Sequence, residues 1–291
     1  MLGRRVTSRL SCFSVTTWAP KFSIIHMPRY NVLYSKRNYT EGGQFENNRK
    51  EEHFYVPLAY ENFCRYLFVP NFVKSLKEVC SGKKNQFVED FDTAALDTLK
   101  TTINDIVTQQ EKKNIKAEID AASRGHFIVG STLYETYEFL KPYAKDHNHL
   151  LIMIENALQQ QGDTIIGTLM KVPVLGKDPI QSLDRLVNFP LSLLGDGFAY
   201  QKSMDEEHSS MQIDIEKCFF HDFFHDRDRK FLTKVACSWY HTWSKYVDVE
   251  KHHVKFSRVN CMCKGDKKCT FLLKRMEKLQ DLQVAPDVPL N

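Results

Sequence analysis

Five of the eight cysteines in this 291-residue chain fall between residues 210 and 275: Cys218, Cys237, Cys261, Cys263 and Cys269. Cysteine is a scarce residue whose position is set by chemistry or by burial. Its chemistry is that of the thiolate, which attacks electrophilic carbon or binds metal once a neighbour removes the proton or balances the charge. Cys237 and His241 lie four residues apart in a stretch with helical spacing, so their side chains meet on one face, with Tyr240 and Ser244 beside them. A thiol next to an imidazole is the minimal activated nucleophile. The commoner outcome for an isolated pair of this kind is a core thiol and a solvated histidine.

Cys261 and Cys263 are two apart in a strand-like segment and share a face, and Cys269 returns across a turn. Three thiols at a hairpin, with Cys218 or Cys237 as a fourth, could close a tetrahedral zinc site. The spacing lacks the paired Cys-x2-Cys knuckles of such sites, so no metal ligand and no cofactor is assigned. Arg258 precedes the hairpin and, on a regular strand, faces away from Cys261. Its planar fork suits a substrate carboxylate, with a cross-strand ion pair as the alternative. Cys64 and Cys80 sit in apolar segments and read as buried hydrophobes, while His221, His225, His252 and His253 read as solvated or capping groups.

The elements around these residues follow from periodicity. Met211 to Cys218 alternates as a half-buried strand ending at Cys218, and Asp228 to Tyr246 is a helix with Phe231, Val235, Trp239 and Trp243 at intervals of four. Residues 253 to 261 alternate again, Lys264 to Lys268 makes a turn, and residues 269 to 273 return. Upstream, Ala95, Leu96, Leu99, Ile103, Ile106 and Val107 mark a helix capped by Asp92 or Thr93, and Tyr134, Tyr137, Leu140 and Tyr143 mark another. A third helix, from His149 to Gln161, is expected to stop at Gly162. Prolines 57 and 70 should break the aromatic segment 54–72 into short pieces, and residues 163–200 should form short helices and turns. The fold class is α+β: helical over the N-terminal two thirds, with a small antiparallel sheet and one long helix in the C-terminal third.

Composition divides the chain. Residues 1–40 hold seven Lys or Arg and no acid, the pattern of an organellar transit peptide, mitochondrial in preference to plastid, with Arg37-Asn38-Tyr39-Thr40 as a processing site. Without them the formal net charge of +4 becomes −3, so the basic balance belongs to the leader. The remaining charges are interspersed, which excludes a nucleic-acid footprint, and no apolar run is long enough to span a membrane. Residues 41–53 read as a flexible leader, 54–278 as a single domain and 279–291 as a loose tail.

The order of these residues resembles the C-terminal signature of the L-2-amino-thiazoline-4-carboxylic acid hydrolase family: a strand ending in Cys218, a helix with Cys237, a strand with Arg258, then Gly265-x3-Cys269-x-Phe271. Ala121-Ala122-Ser123-Arg124 and the helix after it fit a helical N-terminal half. The resemblance implies C–N bond hydrolysis that opens a small cyclic amidine carrying a carboxylate, on the route to N-carbamoyl-cysteine. It implies Cys237 as nucleophile or water-orienting group, Cys218 and Cys269 lining the site, Arg258 on the carboxylate and His241 moving protons. Tyr240 stands where the family pattern has Asp, and Cys261 where it tends to have Thr. Two other readings are kept: a noncatalytic small-molecule-binding or accessory subunit of a mitochondrial assembly, docking partners through segment 54–72, and a thiol-ligated zinc protein.

Overall fold

The computed structural model describes residues 55–82, 87, 91–112, 120–170, 178–205, 207, 209–247 and 253–276. The leader, the tail and the proposed processing site lie outside the described residues.

Helices come first. α1 (Tyr55–Phe63) runs through a π-helical turn, Cys64–Phe68, into α2 (Val69–Ser81). The prolines therefore do not divide this segment, contrary to the sequence expectation. Pro57 lies in the first turn, where no intrahelical N–H is needed. Pro70 has no N–H to offer, and the wider turn before it bonds Val69 N–H to the Cys64 carbonyl five residues back. The run buries Cys64, Phe68, Val69, Phe72, Val73, Leu76 and Cys80, and leaves Tyr66 and Leu67 at 68% and 52% exposure.

A 3-10 turn (Thr93–Ala95), capped by the Asp92 carboxylate on Ala94 N–H, opens α3 (Leu96–Lys112). Its apolar face, Leu96, Leu99, Ile103 and Val107, is buried as the spacing predicts. α4 (Ala121–Leu140) is buried around most of its circumference. The Asp120 carboxylate starts it, accepting from Ala122 N–H and Ser123 N–H, and also takes Asp196 N–H from the turn before the sheet. Gly195 in that turn has φ +64, and a Cβ there would stand 2.5 Å from an Asp120 oxygen, so only glycine fits.

His126, fully inside α4's packing, donates Nε2–H to the Leu193 carbonyl at 2.9 Å and accepts Tyr60 O–H on Nδ1 at 3.1 Å. A carbonyl can only accept, which fixes Nε2 as the protonated nitrogen. Burial pushes its pKa down to about 4 from 6.5. The unfolded chain therefore binds more protons than the folded one between these values, so stability falls as pH drops through that window, by up to ~3 kcal/mol. Urea midpoints at pH 7, 5.5 and 4.5 should show the decline, and His126→Phe, less stable throughout, should lose this part of the slope. An unchanged slope in the variant would remove His126 as the cause.

α5 (His147–Met170) passes through Gly162 without stopping. A Cβ at Gly162 would lie 2.7 Å from Trp239 Cδ1 and 2.8 Å from Thr242 Oγ1. This glycine serves close helix packing instead of ending the helix. α6 (Pro179–Ser192) follows, N-capped by Asp178.

The C-terminal third holds two helices between two strand pairs, not a single long one: β1 (Ala199–Met204), β2 (Ser210–Lys217), α7 (Phe219–His225), α8 (Leu232–Tyr246), β3 (Val254–Asn260) and β4 (Cys269–Arg275). Asp228 adopts φ +53 between α7 and α8, which delays α8 to residue 232. The sheet is antiparallel with order β1-β2-β4-β3. Met211, Ile213 and Ile215 of β2 point into the core, and Asp214 binds Lys268 and Thr270 on the other side. The described part of segment 163–200 holds the end of α5, α6 and the turn at Gly195, in keeping with helices and turns, and only its last two residues begin β1. β1 is an edge strand, mostly exposed, with no apolar alternation to announce it.

Candidate active site

The sulfur cluster forms where the end of β3, the following 3-10 turn (Met262–Lys264), the start of β4 and α8 converge. α8 turns Leu232, Val235, Ala236 and Cys237 inward. On β3 the core-facing residues run Val254, Phe256, Arg258, with Arg258 opposite Phe271. A bulge between Arg258 and Asn260 then shifts the alternation by one residue. Asn260 pairs with Thr270 on the far side, and Cys261 returns to the core face. Arg258 and Cys261 therefore share a face, which overturns the arrangement expected of a regular strand.

Within the cluster Cys261 Sγ lies 2.7 Å from Cys263 Sγ and 3.3 Å from Arg258 Nη1. The Sγ atoms of Cys237, Cys261 and Cys263 are all within 4.8 Å of one another. Cys269 Sγ accepts Met262 N–H at 3.2 Å. Asp266 accepts Cys261 N–H at 2.7 Å, and Gly265, at φ +97, turns the chain back toward β4. Cys237, Cys261 and Cys269 are buried; Cys263 is partly exposed. All described cysteines are free thiols.

Arg258 is 9% exposed. It donates Nη1–H to Cys261 Sγ, donates Nη2–H to the Cys237 carbonyl at 3.0 Å and stacks 5.1 Å over Phe271. Its Nε has no hydrogen-bond partner, and among the described residues no carboxylate pairs with it. An enclosed cation of this kind needs negative charge nearby, and sulfur is what surrounds it. Hydrogen bonds from Cys237, then Cys263 and Cys269, hold the Cys261 thiol far below its ordinary range, with Arg258 adding to the effect. Cys237 and Cys269 are raised, first because each keeps its proton in the bond to Cys261. The arrangement places Cys261 Sγ at the centre, with the other sulfurs around it and a guanidinium against it.

Cys218, buried at the start of α7, is pushed up to about 11 by burial, and its electrostatic coupling to Cys261 and Cys237 puts it at the margin of the cluster. Cys64 and Cys80 are core thiols, each raised to about 12 by burial. His221 and His225 sit on α7 with rings 6.1 Å apart, and His253 is exposed. The α8 backbone carries Tyr240 and His241, whose side chains lie outside the described residues, as does His252. Sequence reasoning gave Cys261 and Cys263 no catalytic place and passed over Asp266. Their signal was the Cys-x-Cys spacing, which becomes a site only once the bulge aims Cys261 inward.

Neither a curated protein nor a solved structure matches the chain. Residues 150–273, which span most of α5 to most of β4 and hold all five clustered cysteines, match the model of the L-2-amino-thiazoline-4-carboxylic acid hydrolase family.

Proposed function

We propose that this protein is a hydrolase of the 2-amino-thiazoline-4-carboxylate type, opening a small cyclic amidine that bears a carboxylate. The observation that carries the reading is the convergence of Cys237, Cys261, Cys263 and Cys269 on Arg258 within the region matched to the hydrolase family. The reaction consumes one water. Water adds to the amidine carbon, the C=N electron pair moves to nitrogen and takes a proton, and the tetrahedral adduct expels the ring sulfur as a thiol, leaving N-carbamoyl-cysteine. Where a cysteine thiolate adds first, loss of the ring sulfur leaves an enzyme-bound isothiourea, and the water then adds to its carbon and expels the enzyme thiol. On either route the ring bond cut is C–S, and the C–N bond of the expected hydrolysis stays intact.

The cluster suits this in two ways. Cys261, beside a guanidinium and ringed by thiol donors, delivers the nucleophile as its own sulfur or as a water held there. Arg258 places positive charge where a carboxylate can be attracted, and Nε is its unpartnered donor. Residues 1–40 would direct the protein to the mitochondrion.

The test is turnover of 2-amino-thiazoline-4-carboxylate by the purified full chain, following ring loss and N-carbamoyl-cysteine together. Product formation that disappears in Cys261→Ala and is lowered in Cys237→Ala is the expected result. Silence from well-folded protein, with a range of cyclic amidine carboxylates offered, would sink the reading.

A further inference from the structure

We propose that Cys237, Cys261 and Cys263 form a zinc site. A helix and a bulged strand end, more than twenty residues apart in sequence, bring three sulfurs within 4.8 Å of one another. Tetrahedral zinc holds sulfur at about 2.3 Å, which spaces its ligands about 3.8 Å apart. The triad reaches that spacing by side-chain rotation, with the Cys261–Cys263 pair opening from 2.7 Å by about 1 Å. Cys263 lies on a short 3-10 turn followed by Gly265, around which a Cβ would meet nothing within 4 Å, so the turn has room to adjust.

Charge supports the same conclusion. Arg258 is enclosed without a carboxylate partner, and its Nη1–H already points at Cys261 Sγ. Three thiolates and a zinc dication carry one net negative charge, which the guanidinium neutralises. A donor set of three sulfurs selects a soft or borderline metal over magnesium or calcium. Cys269 is not among the sulfurs that lie within 4.8 Å of one another, so three protein ligands are assigned and the fourth position is left to water. Resting on the hydrolase reading, this water would be the group that adds to the amidine carbon, since zinc brings bound water into the neutral range. The metal itself does not depend on that reading.

The experiment is metal content of the full chain, incubated with zinc sulfate and dialysed, alongside spectra after cobalt(II) exchange. Roughly one zinc per chain is expected, with a sulfur-to-cobalt charge-transfer band, and both should be lost in Cys261→Ser and strongly reduced in Cys237→Ser. Cys80→Ala, a buried thiol elsewhere, should keep the metal, and circular dichroism checks that each variant folds. Less than about a tenth of a zinc per folded wild-type chain, or undiminished zinc in Cys261→Ser, overturns the proposal. Zinc bound without turnover upholds the site and counts against the hydrolase reading; turnover without zinc overturns the site alone.

Discussion

Cys261→Ala is expected to lower ring-opening turnover by about a thousandfold or more and to destabilise the protein by about 3 kcal/mol. Cys261 Sγ is the atom on which the cluster converges, 2.7 Å from Cys263, 3.3 Å from the Arg258 guanidinium and within 4.8 Å of Cys237 Sγ. Its removal takes away the nucleophile or the group that holds it, and deprives Arg258 of its nearest counter-charge. Cys237→Ala removes one donor from that centre and should lower turnover less, by roughly ten- to a hundredfold. Steady-state rates of both variants, with thermal melts to establish folding, decide the matter. If Cys237→Ala is dead and Cys261→Ala retains turnover, the nucleophile returns to Cys237, where the helix spacing first placed it.

The second large effect is structural. Gly162→Val should destabilise the protein by at least ~3 kcal/mol and reduce turnover together with it. The added atoms would enter the contact between α5 and α8, where a Cβ alone would lie 2.7 Å from Trp239 Cδ1. Trp239 cannot swing aside freely, since its ring stacks on Phe68 at 5.7 Å. Relief must come from moving α8, and α8 carries Cys237. Gly162→Ala is the sharper form of the test. Alanine gains about 1 kcal/mol of helix propensity over glycine, so in an open helix it would stabilise. Here overlap should outweigh that gain, and the urea midpoint should fall. A rise would show that α5 and α8 are not in close contact at this point.

The differences between sequence expectation and structure share a physical origin. Apolar spacing made α3 and α5 legible because one face of each helix is buried on neighbours, and β2 legible because it has a solvated side and a core side. β1 escaped because an edge strand with both faces largely wet carries no alternation. α7 escaped because seven residues dominated by phenylalanine give too short a window for period, although Phe220, Phe223 and Phe224 are buried by it. Gly162 read as a helix stop because its local propensity was visible and its partner, Trp239, was not.

For the site, sequence by itself determined the inventory: five cysteines in the last third, an arginine on the strand before the hairpin, and an order that resembles one hydrolase family. Those are matters of residue type and spacing along one chain. Which of them meet was decided by tertiary structure. A single extra residue at the β3 bulge reverses the side on which Cys261 lies, because strand side chains alternate with a period of two. The packing of α8 on the sheet's end then adds Cys237 from more than twenty residues away and encloses Arg258 among sulfurs instead of carboxylates. Local periodicity cannot encode that meeting, since it depends on a bulge and a helix docking that act only when the chain has closed on itself.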